Sequence, residues 1–468
     1  MPNDTICAIA TASGGALGII RVSGDEAINI SSKIFFPQSG KDFRSIPANR
    51  ATFGTIKTGE QIIDEVVAIP FHAPHSYTGE NSVEFSCHGS QYILSAVIQA
   101  LLQNGSRLAQ PGEYTKRAFL NGKMDLSQAE AVADVIAANS ESYSRIAMNQ
   151  LRGGLKSELD KLHTQILNLR SMLELELDFS DHDDLQFANR QQLLQQAKDI
   201  LSKLNELSST FQAGNTIKEG VPVAIIGAPN VGKSTLMNAL LKDDRAIVSD
   251  IPGTTRDTIE EKITISGIEF RFVDTAGLRK TDDKIESLGI ERTKSAIKKA
   301  RTIIYMISAD SYESENFETL KSIPTETPII IVLNKTDLLP VNTIEAISHN
   351  ATEKFCTILK RTTKATIPIS AKEETGIEKL KKVLVENQGI SLSADSSHNI
   401  IVNKRHYEAL SNASQSMNNV IAGIKNGTPT ELISLDLRQV DFDLSDINGA
   451  TTSQEALNNI FANFCIGK

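Results

Sequence analysis

Residues 227–234 read Gly-Ala-Pro-Asn-Val-Gly-Lys-Ser, straight after the apolar run Val-Ala-Ile-Ile and straight before Thr-Leu-Met-Asn-Ala-Leu-Leu. A Gly-x4-Gly-Lys-Ser loop between a strand and a helix leaves little choice of fold. Its glycines let the backbone wrap a phosphate chain with amides pointing inward, and the following helix turns its positive end to the same place. Lys233 is placed to reach the β- and γ-phosphates and Ser234 to bind Mg2+, with Asn230, Val231, Gly232 and Thr235 completing the cradle. Around this loop the short runs VPVAIIG, IEFRFVD, TIIYMIS, PIIIVLN and ATIPIS alternate with helical stretches. That alternation predicts a doubly wound sheet over residues 216–384.

Three more elements follow in fixed order, each at a strand end. Asp274-Thr275-Ala276-Gly277 closes IEFRFV; its carboxylate can hold Mg2+ through water, and the Gly277 amide can meet the γ-phosphate. Asn334-Lys335-Thr336-Asp337 closes PIIIVL, where Asp337 can accept from the ring N–H and exocyclic amine of guanine. Adenine would leave that carboxylate unpaired, a mismatch that discriminates strongly. Ser370-Ala371-Lys372 follows IPI and can cover the base. The four together predict a GTP-binding module. Between the first two lies SDIPGTTRD, where Thr254 or Thr255 is placed to sense the γ-phosphate and Mg2+. The position that carries a water-orienting glutamine in Ras-like switches is Leu278. The acidic run Asp282-Asp283-Lys284-Ile285-Glu286 just downstream offers carboxylates, though taken alone it reads as a solvated loop.

The other residues exceed what one module needs. At 468 residues the chain predicts several domains. Residues 1–118, rich in Gly, Pro and short apolar runs, predict an α+β domain. From 119 the texture is helical: Leu155, Leu159, Leu162, Ile166, Leu169 and Leu173 form one stripe, and Leu193, Ala197, Leu201 and Leu204 continue it on another helix. After 385, Met417, Val420, Ile421 and Ile424 share a helical face. Segments 119–215 and 385–468 are each thin on core, so a single bundle interrupted by the inserted nucleotide module is expected. Forty per cent hydrophobic residues, no membrane-length apolar run and an N-terminus with Asp4 and no basic cluster predict a cytoplasmic, leaderless protein. Cys7, Cys87, Cys356 and Cys465 are far apart, without zinc-site spacing. A net charge of -9 means that any nucleic-acid partner is held by a local patch or by shape. Arg292, Lys294, Lys298, Lys299 and Arg301 are one local basic stretch, read first as a solvated helix face.

The last residues, Phe464-Cys465-Ile466-Gly467-Lys468, place a thiol four positions from the end of the sequence. Prenylation is disfavoured, because Gly467 is not aliphatic, Lys468 is an unusual final residue and no polybasic segment precedes it. A reactive thiol and a packing residue remain as alternatives.

GAPNVGKSTLMNAL, SDIPGTTRD, DTAGLR, the terminal FCIGK, PGEYTKRAFLNGKMDLSQAEAVADVI and GIIRVSG occur together and in order. The combination closely resembles the MnmE (TrmE) family of tRNA wobble-uridine modification GTPases, essentially from end to end. The resemblance implies an N-terminal domain that binds a 5-formyl- or methylene-tetrahydrofolate and forms a homodimer. It also implies a flavoprotein partner, MnmG (GidA), with which an aminomethyl or carboxymethylaminomethyl group is added to carbon 5 of the wobble uridine of tRNA. Arg21, Glu84, Lys123 and Lys468 match the folate-contacting positions. Thr255 becomes the Mg2+ ligand of the switch, and Glu286 the water-orienting residue. K+ is implied as an activator, held by the Asn230 side chain and by carbonyls of Ser249, Ile251 and Thr254. Cys465 is implied to act on the uracil ring. The competing class is a ribosome-assembly or RNA-chaperone GTPase without covalent chemistry. Such factors carry an RNA-binding appendage with a basic face, and none is evident in the sequence.

Overall fold

A computed structural model describes residues 4–12, 14–178, 190–244, 260–273, 297–314, 320, 323–388 and 400–467. The chain divides into two compact units. One comprises residues 1–137, 147–206 and 408–468, the other residues 138–146 and 207–407.

In the first unit, β1 (Ile6–Ile9), β2 (Leu17–Ser23), β3 (Phe35–Pro37), β4 (Thr52–Thr58), β5 (Gln61–Phe71), β6 (Ser82–His88) and β7 (Arg107–Leu108) form a seven-stranded sheet. Its order is β3-β4-β5-β6-β2-β1-β7, antiparallel except for the β1–β7 pair. α1 (Ala27–Ile34) and α2 (Gln91–Gln103) supply the rest of its core. Period-two alternation does the sorting. Ile20 and Val22 of β2, and Val83, Phe85 and Cys87 of β6, point into that core, so Arg21 and Glu84 must point away from it.

α3 (Glu113–Leu120) and α4 (Leu126–Ala137) lead out of the sheet domain. α5 (Glu141–Leu151), α6 (Gly154–Asp178) and α7 (Arg190–Ser209) follow. The stripe expected on α6 is buried along its whole length, from Leu155 to Leu173, at about 1.5–3 kcal/mol per side chain. On α7 the reading needs one correction. Leu193, Ala197 and Leu204 are buried as expected, but Ile200 is the residue inside and Leu201 is half-exposed. Steps of four and three from Leu193 and Ala197 arrive at 200 rather than 201.

Beyond the nucleotide module, α12 (Lys404–Asn426), α13 (Thr430–Asn448) and α14 (Gln454–Ala462) return to the helical segments. Met417, Val420, Ile421 and Ile424 of α12 are buried. α6 packs on α13, and His163 Nδ1 lies 2.7 Å from Asp441 Oδ1 across that seam. The helical domain is therefore discontinuous in sequence, as expected.

The second unit is built on a six-stranded sheet. β8 (Val221–Ile226), β9 (Glu260–Ile265), β10 (Ile268–Val273), β11 (Thr302–Ser308), β12 (Ile329–Asn334) and β13 (Ala365–Pro368) are ordered β13-β12-β11-β8-β10-β9. All pairs are parallel except β9–β10. The five expected strands are present; β9 is an addition, an edge strand reading Glu-Glu-Lys-Ile-Thr-Ile that turns back at Ser266-Gly267. α9 (Lys233–Asp244), α10 (Val341–Leu359) and α11 (Ile377–Glu386) cover the sheet. α8 (Phe211–Glu219) and residues 400–402 pack with Tyr143 and Ile146 in a small cluster of their own. Among the described residues no helix is long and apolar enough to cross a membrane.

Candidate functional site

β8 lies between β11 and β10, and the phosphate loop leaves its C-terminal end. Gly227 has φ +155, and a Cβ there would meet the Met306 carbonyl oxygen at 2.3 Å. Gly232 has φ +103, and a Cβ there would meet Asn334 Nδ2 at 2.2 Å. Both glycines are therefore required by close packing as well as by conformation. Asn230 takes a left-handed φ of 61 with its side chain exposed. Lys233 opens α9 and folds back over the loop, donating to the carbonyls of Gly227 (2.7 Å) and Ala228 (2.9 Å). Ser234 and Thr235 are exposed in the first helical turn, where a hydroxyl can reach a cation beside bound phosphates.

Asn334 ends β12 and is almost completely buried. Its Nδ2 donates to the Val231 carbonyl at 2.7 Å, and its Oδ1 accepts from the Ala371 amide at 2.9 Å. One side chain thus ties three sequence motifs together. Asp337 is exposed, and its Oδ1 accepts from the Ser370 hydroxyl at 2.6 Å. That bond aims a carboxylate outward at the edge where a base would lie. Lys335 holds φ 64, and Lys372 is exposed beside Glu373. Ser249, Ile251, Thr254, Thr255, Asp274, Thr275, Ala276, Gly277, Glu286 and Lys468 lie outside the described residues. Of the basic stretch, Lys298 and Lys299 are exposed. Arg301 is not a free surface charge: it donates to the Thr216 hydroxyl and to the Gln212 carbonyl, bracing α8.

In the first unit, Arg21 and Glu84 are direct cross-strand partners. Arg21 Nη2 and Nε lie 2.8 and 2.9 Å from Glu84 Oε1. They sit at one place, so they would serve the same end of a ligand. The guanidinium Cζ is 5.2 Å from the Tyr77 ring centroid and 5.6 Å from that of Tyr114, a cation–π setting that holds its plane. Burial pushes the Tyr77 hydroxyl pKa up and pushes that of Tyr114 up strongly, so both stay protonated. Tyr114 spends its proton on the Arg21 carbonyl at 2.7 Å. Neither tyrosine is singled out by the sequence; the loop after β5 brings Tyr77, and α3 brings Tyr114, to the guanidinium.

Residues 465–467 run beside this pair. The Gly112 amide donates to the Cys465 carbonyl at 3.3 Å. Gly112 has φ +65, and a Cβ on it would meet the Phe461 carbonyl oxygen at 2.6 Å. Gly467 has φ +90, with the Ile9 carbonyl oxygen 2.4 Å from where a Cβ would stand, and its own carbonyl accepts from Arg21 Nη1 at 3.5 Å. Two glycines thus clamp the backbone on both sides of a cysteine whose side chain is exposed. Lys123, also exposed, donates to the Pro74 carbonyl at 3.0 Å. The Gly112 clamp belongs to the Pro-Gly-Glu stretch, visible in sequence without a role attached.

A second feature had no sequence signal. Asp4, Glu80, Arg107, Glu113 and Arg117 form one ion-pair network, with Arg117 bonded to three carboxylates. Burial raises the pKa of Asp4 and of Glu113, but the two arginines outweigh it and hold both below their ordinary values.

Two family models match. One, the MnmE helical domain, covers residues 126–465, and the other, the GTP-binding protein TrmE N-terminus, covers residues 5–123. A tRNA modification GTPase MnmE of Bacteroides thetaiotaomicron is 50% identical over 475 residues, covering 100% of both chains. The chain belongs to the MnmE family. Other MnmE relatives agree: that of Christiangramia forsetii is 45% identical over 100% of this chain and 99% of its own, and that of Flavobacterium johnsoniae 44% over 99% of each. Solved structures are alike in part. The FeoB G-domain of Methanococcus jannaschii is 28% identical over 36% of this chain and 97% of its own, at TM-score 0.25. A GDP-bound GTP-binding protein of Sulfolobus solfataricus is 18% identical over 60% of this chain and 79% of its own, at TM-score 0.28. The full-length MnmE relatives, not these partial ones, place the chain in its family.

Proposed function

We propose that this chain is a cytoplasmic GTP hydrolase that acts in modification of the tRNA wobble uridine, together with a flavoprotein of the MnmG type. The carrying observation is the pairing of two sites in one chain. A guanine-reading phosphate site is braced by Asn334, and an exposed thiol at Cys465 is clamped beside the Arg21–Glu84 pair. The full-length relatives bear the name tRNA modification GTPase. The division into residues 1–118, 119–215, 216–384 and 385–468 is kept as the working domain scheme, with dimerisation through the first.

In the nucleotide site, Gly232, Lys233 and the loop amides would hold the phosphates, Ser234 and Thr255 the Mg2+, and Asp337 the guanine. K+ would lie with Asn230 and the carbonyls of Ser249, Ile251 and Thr254, supplying positive charge where Ras-type enzymes use an arginine. Glu286 would orient the attacking water in place of the absent glutamine. GTP turnover would change the pose of the domains rather than form the new bond.

In the first unit the donor set fits a folate. Both Arg21 bonds end on Oε1 of Glu84, which leaves Oε2 to accept from a ring N–H and an exocyclic amine, as a pterin offers. Lys123 and Lys468 suit the glutamate tail. A one-carbon folate would supply the carbon unit, and Cys465 would act on the uracil ring.

Nucleoside analysis of bulk tRNA from a deletion strain tests the whole reading. Loss of the modified wobble uridine is expected; an unchanged profile refutes it and leaves an assembly-factor GTPase. GTP turnover in potassium against sodium chloride at equal ionic strength tests the cation site, and equal rates would remove it.

A further inference from the structure

The net charge of -9 conceals a local exception. Where α4 and α6 begin, a surface cleft with a cavity volume of about 590 Å³ is lined by Lys123, Arg152, Lys156 and Lys161, with Asp160 as the one acid on its wall. Its shape is fixed by the fold. Gln128 of α4 donates to the Leu151 carbonyl at 3.0 Å and accepts from the Asp125 amide at 3.1 Å. Gly153, with φ +87, then turns the chain into α6, whose positive end opens at Gly154.

The cations are not equivalent. Lys161 pairs with Glu158 at 2.7 Å, and Lys123 donates to Pro74. Arg152 and Lys156 are exposed, and among the described residues neither makes an ion pair. Arg152, just before the Gly153 turn, and Lys156, in the first turn of the 25-residue helix α6, thus put two cations without ion-pair partners at the positive end of that helix, where an anion can meet both. Lys123 lines the cleft and is also a candidate contact of the one-carbon site, and residues 156–164 carry the same cleft along α6.

We propose that this cleft binds the phosphate backbone of the tRNA substrate and leads the strand toward the Arg21–Glu84–Cys465 region. The inference rests on the tRNA-modification reading above. It names Arg152 and Lys156 as phosphate contacts, with Lys161 as a supporting charge. Such contacts position a nucleic acid without reading its bases.

The test is fluorescence anisotropy of an unmodified tRNA transcript with the full chain, over a salt series from 50 to 200 mM. Arg152→Glu with Lys156→Glu should weaken binding on the order of ten- to a hundred-fold at 0.1 M salt and lower the log–log salt slope by about two. Basal GTP turnover should not change, since neither residue belongs to the nucleotide site. The paired control is Lys33→Glu with Lys41→Glu, on α1 and after β3, which should bind like wild type. A double variant that binds with the wild-type slope overturns the cleft, as does a control that loses as much. A wild-type chain that does not bind tRNA even at 50 mM salt also overturns it. The modification reading stands or falls separately on the nucleoside profile of the deletion strain.

Discussion

Asn334→Ala separates bracing from base recognition in the nucleotide site. Asn334 is 3% exposed and spans two buried backbone groups, accepting from the Ala371 N–H and donating to the Val231 C=O. Alanine leaves both without a partner. Each unpaired buried group costs about 1–3 kcal/mol, so the sum is about 2–6 kcal/mol. Water entering the vacated polar space recovers part of it, which gives an expected loss of about 2–4 kcal/mol. A unit of 150–250 residues loses about 2–4 °C of Tm per kcal/mol, so a fall of roughly 5–15 °C is expected. Differential scanning calorimetry measures it, and the transition that GDP raises belongs to the nucleotide unit. The control is Asp337→Ala. That carboxylate is exposed and bonded to Ser370, so its loss should leave the transition within about 1 kcal/mol of wild type while abolishing preference for guanine over adenine nucleotides. If Asn334→Ala melts with wild type and loses only nucleotide affinity, Asn334 is a reader of the ligand and the bracing argument is wrong.

Gly232→Ala should abolish nucleotide binding in equilibrium dialysis, because its Cβ would stand 2.2 Å from Asn334 Nδ2 at a left-handed φ; retained binding would mean the loop relaxes freely. Alkylation of the native protein followed by mass spectrometry should modify Cys465 first and spare Cys7 and Cys87, which are buried, the latter with its thiol pKa pushed up to about 12 by burial and by Asp64. Gly112→Ala should speed Cys465 alkylation by freeing the clamped backbone, without changing basal GTP turnover; an unchanged rate would show that the clamp does not restrain the thiol. Asp4 and Glu113 have folded pKa values below their ordinary 3.8 and 4.5, so their contribution is complete above about pH 5 and drains away as pH falls through the ordinary values to the depressed ones. Urea midpoints of the first unit should therefore drop between pH 5 and pH 3, and a midpoint that rises with acid would reverse the sign. Arg117→Met should cost on the order of 3 kcal/mol at pH 7 and flatten that profile.

Much of this protein is written locally. The phosphate loop, the strand-ending motifs and the α6 stripe each depend on a few consecutive residues or on one helical period, so the residues alone specify them. At Leu201 the structure differs by one position within a helix that the residues specify. Edge strand β9 is harder to read, because Glu260–Ile265 opens with three charged residues, carries only two isoleucines, and gains its meaning only from pairing with β10.

What tertiary structure decided are the contacts between residues far apart in sequence. Register between β2 and β6 puts Arg21 against Glu84, and α3 brings Tyr114 beneath the same guanidinium. Asn334 reaches both Val231 and Ala371 only because β12 lies where it does in the sheet. The Gly112 amide meets Cys465, and Arg152 stands beside Lys123, through the packing of helices whose order in the chain says nothing of their distance. Local sequence sets each segment's own geometry. Which segments meet is settled by burial of their apolar faces against one another, a property of the folded whole.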